Sequence, residues 1–144
     1  MFRRAIVFVA LSSVALASCS RALFVQPSGS IDTGIRFDFF RDPDRSTKDE
    51  YRVTYALLAQ IDHDGNETER WRLIGESKLY GIDYGDVPQG LTEESPAQPL
   101  VADRVYLIEI HEKPFAIGTT LFRFSDTGQV EECRTVQECH SGNE

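Results

Sequence analysis

The sequence predicts an all-β protein built as one antiparallel β-sandwich of about seven strands. From residue 35 onwards, apolar and polar residues alternate with a period of two, and no segment of ten or more residues has the apolar stripe of a helix. Clusters of Gly, Pro, Asn and Asp separate the alternating segments, as turns do in all-β folds. A chain of 144 residues, of which 26% are charged, predicts a single folded domain.

The first half of the predicted sandwich contains one strand and one β-hairpin. Residues 35–39 alternate apolar and charged side chains, which predicts the first strand. A long strand is predicted at 51–61, and turn-forming residues at 62–66 lead into a return strand at 67–75. The alternation in the long strand predicts that one face carries the residues Tyr51, Val53, Tyr55, Leu57, Ala59 and Ile61.

The second half contains four further predicted strands. Residues 80–84 form a short one, and the polar stretch that continues to Pro99 is expected to cross between the sheets as a loop. Strands are predicted at 104–112 and 117–124, and a last short strand ends at Cys133. Among the aromatic residues, Phe40 and Phe115 are candidates for an exposed contact patch.

The segment from Leu100 to Ile110 contains a pattern with structural meaning. Leu100 stands six residues before Tyr106, which opens an alternating strand, and this resembles the tyrosine corner of fibronectin type III and other immunoglobulin-like domains. The resemblance implies that the Tyr106 hydroxyl bonds to the backbone a few residues upstream and fixes a crossover between sheets. Asp103 stands where that family often has glycine. Trp71 lies in the third predicted strand and not in the second, where the family has it. The predicted fold is therefore an immunoglobulin-like sandwich, which by itself specifies no activity.

The N-terminus has the features of a targeting segment. Arg3 and Arg4 precede residues 5–17, which carry no charge. This apolar run is too short for a transmembrane helix, which needs about 20 residues, and it is typical of a signal peptide. Loss of the two arginines on cleavage leaves a chain more acidic than the full sequence, whose formal charge is −8.

The residues Leu16-Ala17-Ser18-Cys19 follow the apolar run directly. A branched apolar residue, two small residues and a cysteine resemble the lipobox of bacterial lipoproteins. The resemblance implies that Cys19 carries a lipid thioether, that the signal is cleaved before it, and that further acylation anchors the protein stably in a membrane. Ser20, in place of the aspartate that retains such proteins at the inner membrane, implies an outer-membrane lipoprotein that faces the periplasm.

An alternative cleavage site precedes the lipobox cysteine by two residues. Ala15-Leu16-Ala17 matches the small-residue pattern of ordinary signal-peptide cleavage, which would leave Cys19 as a free thiol. The lipobox is the preferred interpretation because it accounts for the odd number of cysteines, which is three in this chain. The predicted organisation is a signal peptide at 1–18, a lipidated cysteine and flexible tether at 19–33, a sandwich at 34–133 and a disulfide-pinned tail at 134–144.

Cys133 and Cys139 are expected to form a disulfide in an oxidising compartment, where such bonds persist. The closed loop is short, so its main effect would be to pin the polar C-terminal tail. A metal site made of Cys133, Cys139 and His140 is the alternative, although it lacks a fourth ligand and closely spaced cysteine pairs. No metal and no cofactor are therefore predicted.

Other candidate sites in the sequence have simpler explanations. Asp62, Asp64 and Asn66 begin like a calcium loop, but Glu67 stands where that loop needs glycine, so a hairpin turn is expected. The histidines are scattered and predict no zinc site. A carboxylate cluster near the turn at 85–90 resembles a glycosidase pair in residue type only, and a solvated acidic loop is expected from Asp83, Asp86, Glu93 and Glu94.

Charge and motifs restrict the classes of function. An acidic chain with only three lysines disfavours a nucleic-acid binder. No nucleophile, base or metal constellation is evident, which disfavours an enzyme. The preferred hypothesis is a lipid-anchored accessory module that binds another envelope protein through edge-strand pairing or terminal loops. The alternative is a small periplasmic inhibitor or ligand-binding lipoprotein, such as one that places acidic loops in a basic lysozyme cleft.

The lipid anchor is testable by the substitution Cys19→Ser. We expect the variant to be released from the membrane fraction or to accumulate as an uncleaved precursor, because the thioether that precedes cleavage cannot form. Cell fractionation and intact-mass measurement distinguish the two products. Normal processing together with normal membrane retention would contradict the assignment of Cys19.

Overall fold

The computed structural model describes residues 22–113 and 115–141. The predicted signal peptide, Cys19 and the end of the C-terminal tail lie outside these residues. The described residues form nine strands and one short helix. Their bounds are β1 (Phe24–Ser30), β2 (Gly34–Phe40), β3 (Tyr51–Ile61), β4 (Glu67–Leu79), β5 (Gly81–Asp83), β6 (Leu91–Ser95), β7 (Val105–Glu112), β8 (Ile117–Phe124), β9 (Val130–Cys133) and α1 (Val136–Ser141).

The strands form two antiparallel sheets packed as a sandwich, which confirms the predicted fold class. One sheet has three strands in the order β1-β2-β5, and the other has six in the order β6-β4-β3-β7-β8-β9. The chain crosses between the sheets after β2, β4 and β5, and β7 lies between β3 and β8. Crossovers of this Greek-key kind belong to immunoglobulin-like sandwiches.

The core between the sheets is built around aromatic side chains. Phe37 of the three-stranded sheet contacts Phe122 of the six-stranded sheet, with ring centroids 5.8 Å apart, and Tyr106 stacks on Phe122 at 5.7 Å. All three side chains are fully buried. Aromatic pairs at this distance add to the stabilisation that burial of their apolar area provides. The core therefore spans both sheets at the level of Phe122.

Two tyrosine hydroxyls bind backbone in the long connection that leads to β7. The Tyr106 hydroxyl accepts the N–H of Val101 at 2.7 Å, five residues upstream, and Leu100 packs against the core. The Tyr84 hydroxyl donates to the carbonyl of Gln98. Burial raises the pKa of Tyr106 and raises that of Tyr84 to about 12. Both groups stay protonated at neutral pH and fix the crossover into β7.

The prediction of a flexible tether over residues 19–33 is wrong for Phe24–Ser30. This segment is strand β1, which pairs with all of β2, so the sandwich begins ten residues before the predicted start at 34. Val25 and Pro27 are buried. Pro27 is compatible with this strand because β1 is an edge strand, where one side needs no ladder donor. The linker-like composition of 27–30 concealed a short alternating segment.

Two further strand predictions are corrected by irregular pairing. A β-bulge between Val53 and Tyr55 switches the faces of β3, so that Ala56 and Leu58 enter the core instead of the odd-numbered residues. The polar stretch predicted as a loop contains β6, which pairs with β4 from Arg72 to Gly75. The two strands that were not predicted, β1 and β6, account for the nine strands where about seven were expected.

The predicted tail carries a short helix that covers part of the outer face of the six-stranded sheet. A second apolar cluster lies there, formed by Ala59, Ile61 and Val105 with Cys139 of α1. Cys133 and Cys139 are joined as a disulfide with Cα atoms 5.4 Å apart. The disulfide therefore links α1 to the edge strand β9, and Arg123 donates to the Cys139 carbonyl at 2.8 Å.

Strand β1 approaches β8 closely at Gly118. A Cβ atom at this position would lie 2.8 Å from both Leu23 Cγ and Val25 Cγ2, and 2.9 Å from the Leu23 carbonyl oxygen. Leu23 and Val25 are 6% and 1% exposed. The Thr120 hydroxyl donates to the carbonyl of Val25 at 2.6 Å. Gly118 thus permits the contact that joins the two sheets along this side of the sandwich.

The substitution Gly118→Ala should lower the free energy of unfolding by about 1–3 kcal/mol, because the added methyl group overlaps atoms of β1 that cannot move independently. Chemical denaturation of the purified protein measures the change. Thr119→Ala, at the exposed neighbouring position, is the control and should cost less than about 1 kcal/mol. Equal stabilities of the two variants would contradict the close packing.

The double substitution Cys133→Ser and Cys139→Ala should lower the free energy of unfolding by about 2 kcal/mol, the value typical of a short disulfide loop. Amide exchange in 136–141 should accelerate, because α1 is too short to persist without its link to β9. A reducing agent should have the same effect on the wild-type protein and none on the variant. An unchanged unfolding midpoint would show that α1 is held by packing alone.

Candidate functional site

A groove of about 730 Å³ runs along the outer face of the six-stranded sheet, beside α1. Its floor is apolar, and its rim is charged. The apolar lining comes from β3, β7, β8 and α1, and consists of Ile61, Leu107, Leu121 and Val136. The charged lining consists of two arginines and three glutamates, which are Arg45, Arg134, Glu67, Glu132 and Glu138. A mixed lining of this kind suits a partner that places a few apolar side chains on the floor and polar groups at the rim.

The groove follows the part of β8 that extends beyond its pairing with β9. Strand β9 pairs with β8 only from Leu121 to Phe124. Within the described parts of the chain, no other strand pairs with Ile117–Thr120 on that side, although β1 contacts this segment at Gly118 and Thr120. Thr119 and Thr120, which line the groove, belong to this segment. The accessible feature is therefore the groove on the outer face of the sheet.

Arg45 stands at the rim in an unusual backbone conformation. Its φ angle is 57°, and it is the non-glycine residue with positive φ in the described chain. Its amide donates to the Asp42 carbonyl at 2.9 Å, and its guanidinium forms an ion pair with Glu132. The Nε atom of Arg45 is buried and has no hydrogen-bond partner among the described residues. Strained residues of this kind are concentrated at binding sites.

The hairpin turn after β3 closes one end of the groove through Gly65. Asp62 accepts the N–H groups of Asp64 and Asn66 at 2.9 and 2.8 Å. The hydrogen bonds from Asn66 lower the pKa of Asp62 below its ordinary value. The carboxylate therefore caps the turn, in agreement with the expected hairpin and not with a calcium loop.

The sequence predicted scattered histidines, and this prediction is wrong for His63 and His140. The rings of His63 and His140 stack with centroids 3.9 Å apart, which brings the hairpin turn against α1. His140 cannot complete the alternative metal site, because the sulfurs of Cys133 and Cys139 are bonded to each other. Among the residues that the structure describes, no group of three or more His, Cys, Asp or Glu is placed to hold a metal.

The four acids that resemble a glycosidase pair in residue type have separate partners. Asp83 pairs with Arg36 at 3.0 Å, and Glu94 lies 3.8 Å from Arg72. Glu93 accepts the indole N–H of Trp71 at 3.3 Å. The N–H of Asp86 donates to the carbonyl of Asp83 in a turn. The carboxylates of Asp83, Glu93 and Glu94 are thus directed to structural contacts.

The site residues predicted from the sequence lie in three places. Cys19 is outside the described residues. Cys133 lines the groove, and Cys139 is buried beneath it. Leu100 and Tyr106 hold the crossover into β7, away from the groove. Among the described residues, no helix has the length and apolarity needed to cross a bilayer.

Sequence reasoning missed the residues that make the groove. Arg45 lies in a polar loop, and arginine is not a residue type that predicts positive φ, so no local signal identified it. Thr119 and Leu121 alternate as in any half-buried strand. The groove depends on where β9 and α1 stop along β8, which is a tertiary property. The groove therefore had no counterpart in the sequence pattern.

Comparison of this chain with known protein families, with curated proteins and with solved structures finds no match.

Proposed function

We propose that the protein is a lipid-anchored, periplasm-facing lipoprotein of the outer membrane that acts as a non-enzymatic module and binds another envelope protein. The groove beside β8 on the outer face of the six-stranded sheet is the observation that carries the binding part of this proposal. The lipobox residues that end at Cys19 support the anchoring part. The lipid holds the domain at the membrane, and the groove recruits the partner.

The mode of binding follows from the shape of the groove. An extended segment of the partner lies in the groove beside Thr119 and Leu121. Its alternate side chains contact the apolar floor at Leu107 and Leu121. The arginines and glutamates of the rim favour a partner with charges of both signs, and their complementarity fixes the register of the bound segment.

The absence of catalysis is part of the same proposal. Three of the four carboxylates that resemble a glycosidase pair in residue type contact Arg36, Arg72 and Trp71. The two cysteines beside the groove are joined as a disulfide, so neither is available as a nucleophile. The groove offers backbone groups, apolar area and charge, which are the elements of recognition.

The proposal is tested by affinity capture with the full-length, detergent-solubilised protein. We expect one stoichiometric envelope protein to be recovered by the wild type. Arg45→Ala should reduce its recovery at least tenfold, a loss of about 1.4 kcal/mol, because it removes the side chain that forms the rim of the groove together with Glu132. Arg41→Ala, an exposed arginine of the same loop, is the matched control and should bind like the wild type.

A photocrosslinker tests the position of the contact independently. Placed at Thr119 in cells, it should produce one discrete adduct, whereas the same group at exposed Thr92 of β6 should give none. Adducts from both positions, or equal capture by the Arg45→Ala and Arg41→Ala variants, would show that the groove is not the binding surface. An empty capture at low salt would contradict the binding function itself.

A further inference from the structure

The chain enters the sandwich at a fixed place, which determines where a lipid on Cys19 would lie. The carbonyl of Ala22 accepts the Tyr51 hydroxyl at 2.6 Å, and Leu23 packs on Gly118. Only two residues lie between Cys19 and Ala22. Even when the chain is fully extended, the three steps from Cα to Cα span about 10 Å. We call this end of the sandwich, where β1, β3 and β8 begin and β2, β4 and β7 end, the anchor end.

The anchor end carries exposed apolar side chains. Phe115, in the connection between β7 and β8, is 87% exposed, and Ile117 at the start of β8 is 59% exposed. Tyr80 is 52% exposed beside the end of β2, where its carbonyl accepts the Phe39 amide at 2.9 Å. An aromatic side chain that projects so far is unusual on a soluble face and is typical of a group that enters the bilayer interface.

The three lysines of the sequence also lie at the anchor end. The backbone of Lys48 forms an isolated antiparallel β-bridge with Phe40 at the end of β2. Lys78 pairs in register with Arg52 at the start of β3, and the Lys113 amide donates to the Arg52 carbonyl at 3.0 Å. The loop at 41–50 adds two arginines and four acids, which are Asp42, Asp44, Asp49 and Glu50. The anchor end therefore carries charges of both signs together with its exposed apolar side chains.

The opposite end of the sandwich, which we call the distal end, is acidic. Its turns and loops carry the carboxylates Asp32, Asp62, Asp64, Asp103 and Asp126. The formal charge of the chain is −8, and this uneven distribution of the acids gives the molecule an electric dipole along the strand direction. An anionic lipid surface attracts the lysines and repels the distal acids, so both ends favour the same orientation.

We propose that the anchor end rests on an anionic lipid bilayer, with Phe115 in the interface and Lys78 and Lys113 against the headgroups. This inference depends on the proposed lipid anchor and adds an orientation to it. The strands then stand on the membrane, and the groove opens sideways along β8. The lipid holds the domain at the membrane, and the contacts of the anchor end hold it there in one pose.

The test uses the lipidated full-length protein in vesicles of phosphatidylethanolamine and phosphatidylglycerol. The chain has one tryptophan, Trp71, which is fully buried and gives a constant background. A Phe115→Trp variant should show blue-shifted emission and at least twofold quenching by lipids brominated on their acyl chains. Val101→Trp, at an exposed position of the distal end, is the matched control and should show neither effect.

The charge part of the proposal has its own variant. Adding Lys78→Gln and Lys113→Gln to Phe115→Trp should reduce the quenching, because each lysine at an anionic surface strengthens partition about fivefold. Arg104→Gln at the distal end should not change it. Vesicles of phosphatidylcholine alone should remove the difference between these variants.

The outcomes separate the two proposals. Co-sedimentation with vesicles and the intact mass report the lipid anchor by themselves, and failure of both overturns the anchor together with the orientation that depends on it. If the protein is lipidated and sediments, but Phe115→Trp is quenched no more than Val101→Trp, the orientation alone is wrong. Quenching at both positions would indicate a domain that lies on its side and would also overturn the proposal.

Discussion

The packing of Leu23 and Val25 against Gly118 joins the two sheets along one side and sets the frame for everything else. Because glycine leaves no side chain there, β1 lies directly over the start of β8. That position makes β1 an integral strand of the sandwich and fixes the point where the preceding chain leaves it. Without the contact, the three-stranded sheet would lose its connection to β8, and the anchor end would have no defined exit for residues 19–21.

The outer face of the six-stranded sheet shows how the chain uses a strand that is apolar on both sides. The bulge in β3 directs Ala56 and Leu58 inward and leaves Ala59 and Ile61 facing outward. The disulfide-linked helix α1 covers the outward pair, which would otherwise be an exposed patch. Because the helix is short, it covers only part of the face. The groove is the remainder, bounded by α1 on one side and by the edge of β8 on the other.

The sequence pattern predicted strands well where one face is buried and the other is wet, as in β2, β7 and β8. It failed where a local irregularity decides the outcome. The bulge at Val53 reverses the faces of β3, and no residue type in the sequence predicts it. Pro27 and Gly29 concealed β1, because their conformational effects are the same in a linker and in an edge strand. The groove was beyond prediction, since it arises from where elements distant in sequence end in space.

The direction of β1 has a mechanical consequence. Its hydrogen bonds to β2 lie across the strand, and the strand begins at the anchor end and runs away from it. Under the proposed function, a force between the lipid ahead of Ala22 and a partner held at the groove would pull along β1 and load its seven residue pairs in shear, all together. A chain that entered at the distal end would be peeled from the sheet one pair at a time. The direction of β1 would thus keep the domain folded under such a load.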